Sequence, residues 1–146
     1  MTSDRRLLSF VSVVIAALGT SAAAADGAVL MAKGIIRNDT SIEDATIIPA
    51  ILGTRFGIVF RMKAVAGKIA PNVTVTWRFP AGGLDNPETG RTSHVDSHKI
   101  NCGAKWICAT LWKFDEPWEL VPGVWEVEIV INKRTALRQS FTVVSP

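Results

Sequence analysis

An all-β sandwich is what the sequence predicts, on three observations. After Gly123, Trp125, Val127, Ile129 and Ile131 fall on one face while Glu126 and Glu128 fall on the other, the period of a half-buried strand. The same alternation recurs in Arg55 to Val65, with Phe56, Ile58, Phe60 and Met62 inward, and again in Val73, Val75, Trp77 and Phe79 against Thr74, Thr76 and Arg78. Beyond the first 25 residues, no amphipathic pattern of period 3.6 runs for a dozen residues, so no helix is expected there. The closing stretch narrows the class. A Val121-Pro122-Gly123 corner, an aromatic opening a long strand, a polar break at Asn132-Lys133-Arg134 and a final Phe141-x-Val143 run form the ending of an immunoglobulin-like antiparallel β-sandwich. About seven or eight strands are expected, preceded by a cleavable signal peptide.

That signal peptide is read from the first 25 residues. Arg5 and Arg6 are followed by a run from Leu7 to Leu18 that is apolar but for serines, then by Ser21-Ala22-Ala23-Ala24-Ala25, the order of a secretory leader. About a dozen apolar residues fall short of the roughly 20 needed to span a bilayer, so cleavage near Ala25 is expected rather than an uncleaved anchor. The twin arginines sit after Asp4 in a poor context for folded export, so unfolded export is the expectation. Residues 26–146 then form a single domain, exported to the periplasm or secreted.

The remaining elements follow in order. Ala28 to Arg37 reads as a first strand, weak at Gly34. Asn38 to Ala45 is polar and expected as a loop, and Thr46-Ile47-Ile48 before Pro49 is a short edge strand. Gly67 to Asn72 is a turn containing Pro71. Pro80 to Gly90 concentrates turn formers and is expected as a long exposed loop without regular structure. Arg91 to Ile100 is polar, a candidate edge strand, and Trp106 to Phe114 alternates with apolar residues on both faces.

Of the 146 residues, 16 are basic and 13 acidic. Loss of Asp4, Arg5 and Arg6 with the leader leaves 14 basic and 12 acidic residues, a net of about +2, with the basic residues scattered singly. That distribution argues against nucleic-acid binding.

With these strands placed, the chain resembles the bacterial domain of unknown function catalogued as DUF3859. The resemblance rests on Ile48 to Gly57 (Ile-Pro-Ala-Ile-Leu-Gly-Thr-Arg-Phe-Gly), on Arg78-Phe79-Pro80 with Gly83 to Gly90, and most specifically on Phe114-Asp115-Glu116-Pro117-Trp118-Glu119-Leu120-Val121-Pro122-Gly123. It implies an all-β module and supplies no catalytic residues. Cys102 and Cys108, beside His94 and His98, depart from the family's general pattern.

Those two cysteines are the only ones, and in an exported protein a disulfide is expected between them. A sharper alternative is a metal site of His94, His98, Cys102 and Cys108, residue types suited to zinc or copper. In a strand, however, the two histidines lie about 13 Å apart, and oxidation removes both thiolates. Asp85, Asn86 and Glu88, like Asp115, Glu116 and Glu119, are oxygen donors without a recognised calcium spacing. They are expected as solvated turn residues; if Asp115 and Glu116 sit near Arg91 or Arg55, a structural ion pair fixing the corner is expected rather than catalysis. No nucleophile elbow, Ser-His-Asp set or phosphate loop is present, so no enzyme and no cofactor is expected. Of five tryptophans, Trp77 and Trp125 are expected in the core, while Trp106, Trp112 and Trp118 are those able to reach the surface.

The functional expectation is a non-enzymatic binding or assembly module of the bacterial cell envelope. A protein partner ranks first and a glycan second, on a surface made by Asp85, Asn86 and Glu88 with Trp112 and Trp118. The alternative is an envelope metal-binding protein using the His/Cys cluster.

Overall fold

The structure, a computed structural model, describes residues 27–63, 72–102 and 104–146. The expected leader, and the turn from Gly67 through Pro71, lie outside the described residues. Eleven strands are present among the described residues: β1 Ala28–Asn38, β2 Ser41–Asp44, β3 Ile47–Pro49, β4 Arg55–Met62, β5 Val73–Arg78, β6 Leu84–Asn86, β7 Arg91–Ser93, β8 Val95–Ile100, β9 Ile107–Lys113, β10 Gly123–Ile131 and β11 Arg134–Val144. They form a four-stranded sheet of order β2-β1-β4-β9, a five-stranded sheet of order β3-β11-β10-β5-β8, and the small hairpin β6-β7. In immunoglobulin terms, β1, β4 and β9 take the places of strands A, B and E, facing β5, β10 and β11 in those of C, F and G. Among the described residues no helix is long and apolar enough to cross a membrane.

The alternation read from the sequence is the alternation observed. Phe56, Ile58, Phe60 and Met62 of β4, Val73, Val75 and Trp77 of β5, and Trp125, Val127 and Ile129 of β10 all point between the sheets and are buried. β10 and β11 form the expected hairpin. Its two-residue loop, Asn132-Lys133, places both residues in the left-handed region at φ 49° and 68°, the geometry that matches the twist of a tight hairpin.

The centre of the sandwich is aromatic. Phe56, on β4, lies within 5.3 to 5.9 Å, centroid to centroid, of Trp77, Phe114, Trp125 and Phe141. Where antibody domains cross the sheets with a disulfide packed on a tryptophan, this ring cluster makes the crossing. Trp125 also anchors the corner before β10: its indole donates to the Val121 carbonyl at 2.9 Å. A tyrosine hydroxyl serves this purpose in many such sandwiches, and this chain has no tyrosine.

Two short segments differ from the sequence reading, and a third, β3, is the expected short edge strand. Ser41–Asp44 is a strand rather than loop, because Glu43 and Asp44 pair with Arg37 and Lys33 across β1 at 2.9 and 2.7 Å. Within Pro80–Gly90, Leu84–Asn86 pairs with Arg91–Ser93, so the turn-forming composition encodes a tight hairpin and not an irregular loop. β3 joins β11 in parallel, since the chain changes sheets after β2 and enters beside the last strand.

Candidate functional site

The Pro80–Gly90 stretch and the Trp112–Trp118 stretch meet in space. The hairpin is held by its own polar residues. Thr92 Oγ1 donates to Asp85 Oδ1 at 2.5 Å, and the Glu88 amide donates to Asn86 Oδ1 at 2.9 Å. Asp85 and Asn86 are therefore structural partners within the hairpin, and Glu88 is exposed at its tip. Leu84 points inward and is buried.

The facing corner is made by Glu119, which the sequence offered as a solvated turn residue. It is buried instead. Its Oε1 accepts the backbone N–H groups of Asp115 at 2.7 Å and Glu116 at 2.9 Å, satisfying donors that the Pro117–Glu119 3-10 turn leaves free. Among the described residues neither Asp115 nor Glu116 pairs with Arg91 or Arg55. Asp115 lies 3.6 Å from Lys113, and Arg55 pairs with Asp39 at 3.1 Å, because β9 and the β1–β2 turn bring those charges closer.

Between hairpin and corner lies a groove of about 180 Å³, lined by Phe79, Leu84, Ser93, Val95, Asp96, Trp112, Trp118 and Glu119. Trp112 and Trp118 are half-buried walls of it, not an exposed stacking platform. Trp106 is likewise half-buried. The Trp112 ring packs on Phe79 at 5.1 Å, Trp125 at 5.5 Å and Trp77 at 5.9 Å. Its indole nitrogen is buried and has no hydrogen-bond acceptor among the described residues. A donor so placed loses roughly 1–3 kcal/mol against one that is paired.

The His/Cys constellation does not assemble. Cys102 and Cys108 form a disulfide, which fastens the β8–β9 connection to the second residue of β9 and stabilises by about 2 kcal/mol through loop-closure entropy. The thiolate is the form that binds zinc or copper, and two sulfurs joined in a disulfide carry no thiolate charge, so neither is a ligand of the expected kind. His98 lies on exposed β8 with Nδ1 3.2 Å from Asp96, and His94 is exposed at the β7–β8 junction. Among the described residues, no group of three or more His, Cys, Asp or Glu side chains converges on a common point.

A polar cluster that the sequence reading missed covers the outer face of the five-stranded sheet. Glu128, expected in solvent, has a side chain only 6% exposed. Arg78 reaches its Oε1 at 2.6 Å, and Oε2 accepts from Thr135 at 2.5 Å and from Arg138 at 3.3 Å. Burial pushes its carboxyl upward, but hydrogen bonds from Thr135, Arg78 and Arg138, with the Arg78 charge, outweigh this and hold it below the ordinary value. A carboxyl lowered on folding stabilises above its unfolded pKa, and that stability is lost as pH falls through the folded value. Glu128→Gln is accordingly expected to lose about 2 kcal/mol at neutral pH. The wild type loses this advantage as pH drops below the ordinary 4.5. Urea titrations of both proteins at pH 7, 4 and 3 measure it; a gap that does not narrow on acidification would contradict the assignment.

A family profile described as a domain of unknown function, DUF3859, matches residues 22–143. The chain belongs to the DUF3859 family. The domain is also similar to a solved immunoglobulin-like protein from Pseudomonas aeruginosa, at 22% identity and a TM-score of 0.67, over 82% of this chain and 98% of that one. At that identity the likeness establishes the fold alone, an immunoglobulin-like one. A second solved structure, the Pseudomonas fluorescens alkylpurine DNA glycosylase AlkC bound to DNA, shares 15% identity at a TM-score of 0.44, over 81% of this chain and 30% of that one. A likeness that weak carries no argument. Among curated proteins none matches the chain.

Proposed function

We propose that this DUF3859 domain is a non-enzymatic binding module of the bacterial cell envelope, exported to the periplasm or beyond. Its recognition surface is the groove between the β6–β7 hairpin and the Trp112–Trp118 corner. One observation carries the reading: the buried Trp112 indole nitrogen lacks an acceptor among the described residues, in the wall of a groove that joins apolar side chains, Phe79, Leu84, Val95 and Trp118, to the polar Ser93, Asp96 and Glu119. A peptide carbonyl supplies one. The cavity, about 180 Å³, is below the range typical of drug-sized ligands and cofactors. It suits a single side chain inserted beside its own backbone, with Asp96 at the wall favouring a partner that brings a donor or a positive charge. A protein partner therefore comes first and a glycan second.

The test uses the protein as bait on native envelope fractions, alongside Trp118→Ala, which opens one wall of the groove, and Val124→Ala on an exposed strand position. A protein retained by the wild type and Val124→Ala, and lost with Trp118→Ala, supports the assignment. A glycan retained with that pattern selects the second partner class. Equal capture by all three baits, or a chain found in the cytoplasm on fractionation, overturns the reading.

A further inference from the structure

Two open sheets have four edges, and each edge strand presents backbone N–H and C=O groups to any strand that can reach them. Three of these edges carry a feature that discourages pairing. β3 has three residues and ends on Pro49. β2 has four, with Glu43 and Asp44 exposed. β8 has six, but Asp96 and His98 stand opposite the buried Trp77 and Val75, so the core-facing side of that edge carries polar, ionisable groups, and Lys99 projects from the other. Inward charges and short lengths are the usual means of keeping edges single.

β9 has none of them. Its seven residues, Ile-Cys-Ala-Thr-Leu-Trp-Lys, pair with β4 in unbroken register and with no other strand among the described residues. It contains no proline, glycine or bulge, and its one charge is the terminal Lys113. Its outward side chains are apolar and exposed: Ile107 at 37%, Leu111 at 44%, with Ala109 between them.

We propose that β9 is a dimerisation edge, joined antiparallel to the β9 of a second copy of this chain about a twofold axis through Thr110, so that two four-stranded sheets become one. Residues facing each other across an antiparallel pair project from the same side of the sheet, so the axis must pass through a residue. Thr110 is the middle of the strand and gives the longest overlap. In that register Ala109 faces the second copy's Leu111, and Ile107 faces the stem of its Lys113, which can lie along an apolar neighbour with the charge in water. No like charges are opposed. Lys105, just before the strand, and Asp115, just after it, come to the same end when two copies run antiparallel, so each end brings unlike charges together. This match of β9 to itself favours a second copy over a foreign strand.

Sedimentation of the purified protein across a wide concentration range tests the proposal, with two double variants at positions whose side chains face solvent. Ala109→Lys with Leu111→Lys sets lysines against lysines across the axis and is expected to weaken the dimer by roughly tenfold or more. Ala109→Lys with Leu111→Glu sets unlike charges across the same axis and is expected to restore it. Far-ultraviolet circular dichroism establishes that each variant is folded. A wild type that stays monomeric, a Lys/Lys variant that dimerises as well as the wild type, or a folded Lys/Glu variant no better than Lys/Lys would each overturn the proposal.

Discussion

Phe56→Ala is expected to lower stability by about 4 kcal/mol. The ring is wholly buried, and its four aromatic neighbours come from β5, the β9–β10 connection, β10 and β11. Truncation removes the transfer free energy of the ring and leaves a void between the sheets. The walls of that void cannot close over it, because Trp77 and Trp125 are each held by a further bond: Trp77 Nε1 donates to Thr110 Oγ1 at 3.1 Å, and Trp125 to the Val121 carbonyl. A domain of this size has about 5–15 kcal/mol in all, so the variant is expected to be only marginally folded at 25 °C. Urea denaturation measures the difference. The exposed Val124→Ala serves as reference and is expected within about 0.5 kcal/mol of the wild type. A loss below about 1 kcal/mol at Phe56 would mean that this ring is not the link between the sheets.

Gly57→Ala is expected to cost about 3 kcal/mol, near the upper end for inserting one methyl into filled space. The backbone there is ordinary strand, so the requirement is room, not conformation. A Cβ built on Gly57 falls 2.0 Å from the Thr110 carbonyl oxygen and 2.9 Å from Leu111 Cα. Both atoms are backbone of β9, so relief requires moving the strand, and with it the Phe56–Trp112 and Ile58–Thr110 pairs that bring the core of the sheet into place. Gly34 is tighter still, at 1.8 Å from the Glu43 carbonyl with φ +142°. Its alanine variant is expected to cost less, because β2 is a four-residue edge strand that can detach without exposing the core. Thermal and urea unfolding of both variants give the ranking. A Gly57→Ala protein as stable as the wild type, or less affected than Gly34→Ala, would show that β9 shifts freely.

Much of the fold was legible because a strand buried on one face writes its environment into alternate residues. Phe56 to Met62, Val73 to Trp77 and Trp125 to Ile129 could each be assigned to core or solvent without knowing their neighbours. The hairpin ending at Val144 followed from local turn chemistry at Asn132-Lys133. β2 and the β6–β7 hairpin were not legible, since three or four residues are too few to show a period, and the cross-strand partners that hold them, such as Lys33 for Asp44 and Thr92 for Asp85, are set by pairing rather than by sequence spacing.

The groove was legible in its parts and not as a whole. Pro80–Gly90 and Trp112–Trp118 stood out by composition, but the enclosure of Trp112 by Phe79, Trp77 and Trp125 depends on three strands meeting. Glu119 and Glu128 were each misplaced in solvent for one reason: a carboxylate is buried when donors converge on it, and its donors here come from the Asp115 and Glu116 amides in one case and from β5 and β11 in the other.

Taken alone, the chain determined its strand faces, its closing hairpin and the pairing of its two cysteines, because each depends on residues close together along it. Which sheet each strand joins, why Glu128 lies inside, which indole goes without an acceptor and which edge stays open were decided only on folding, because each is a relation between segments whose separation along the chain says nothing of their distance in space.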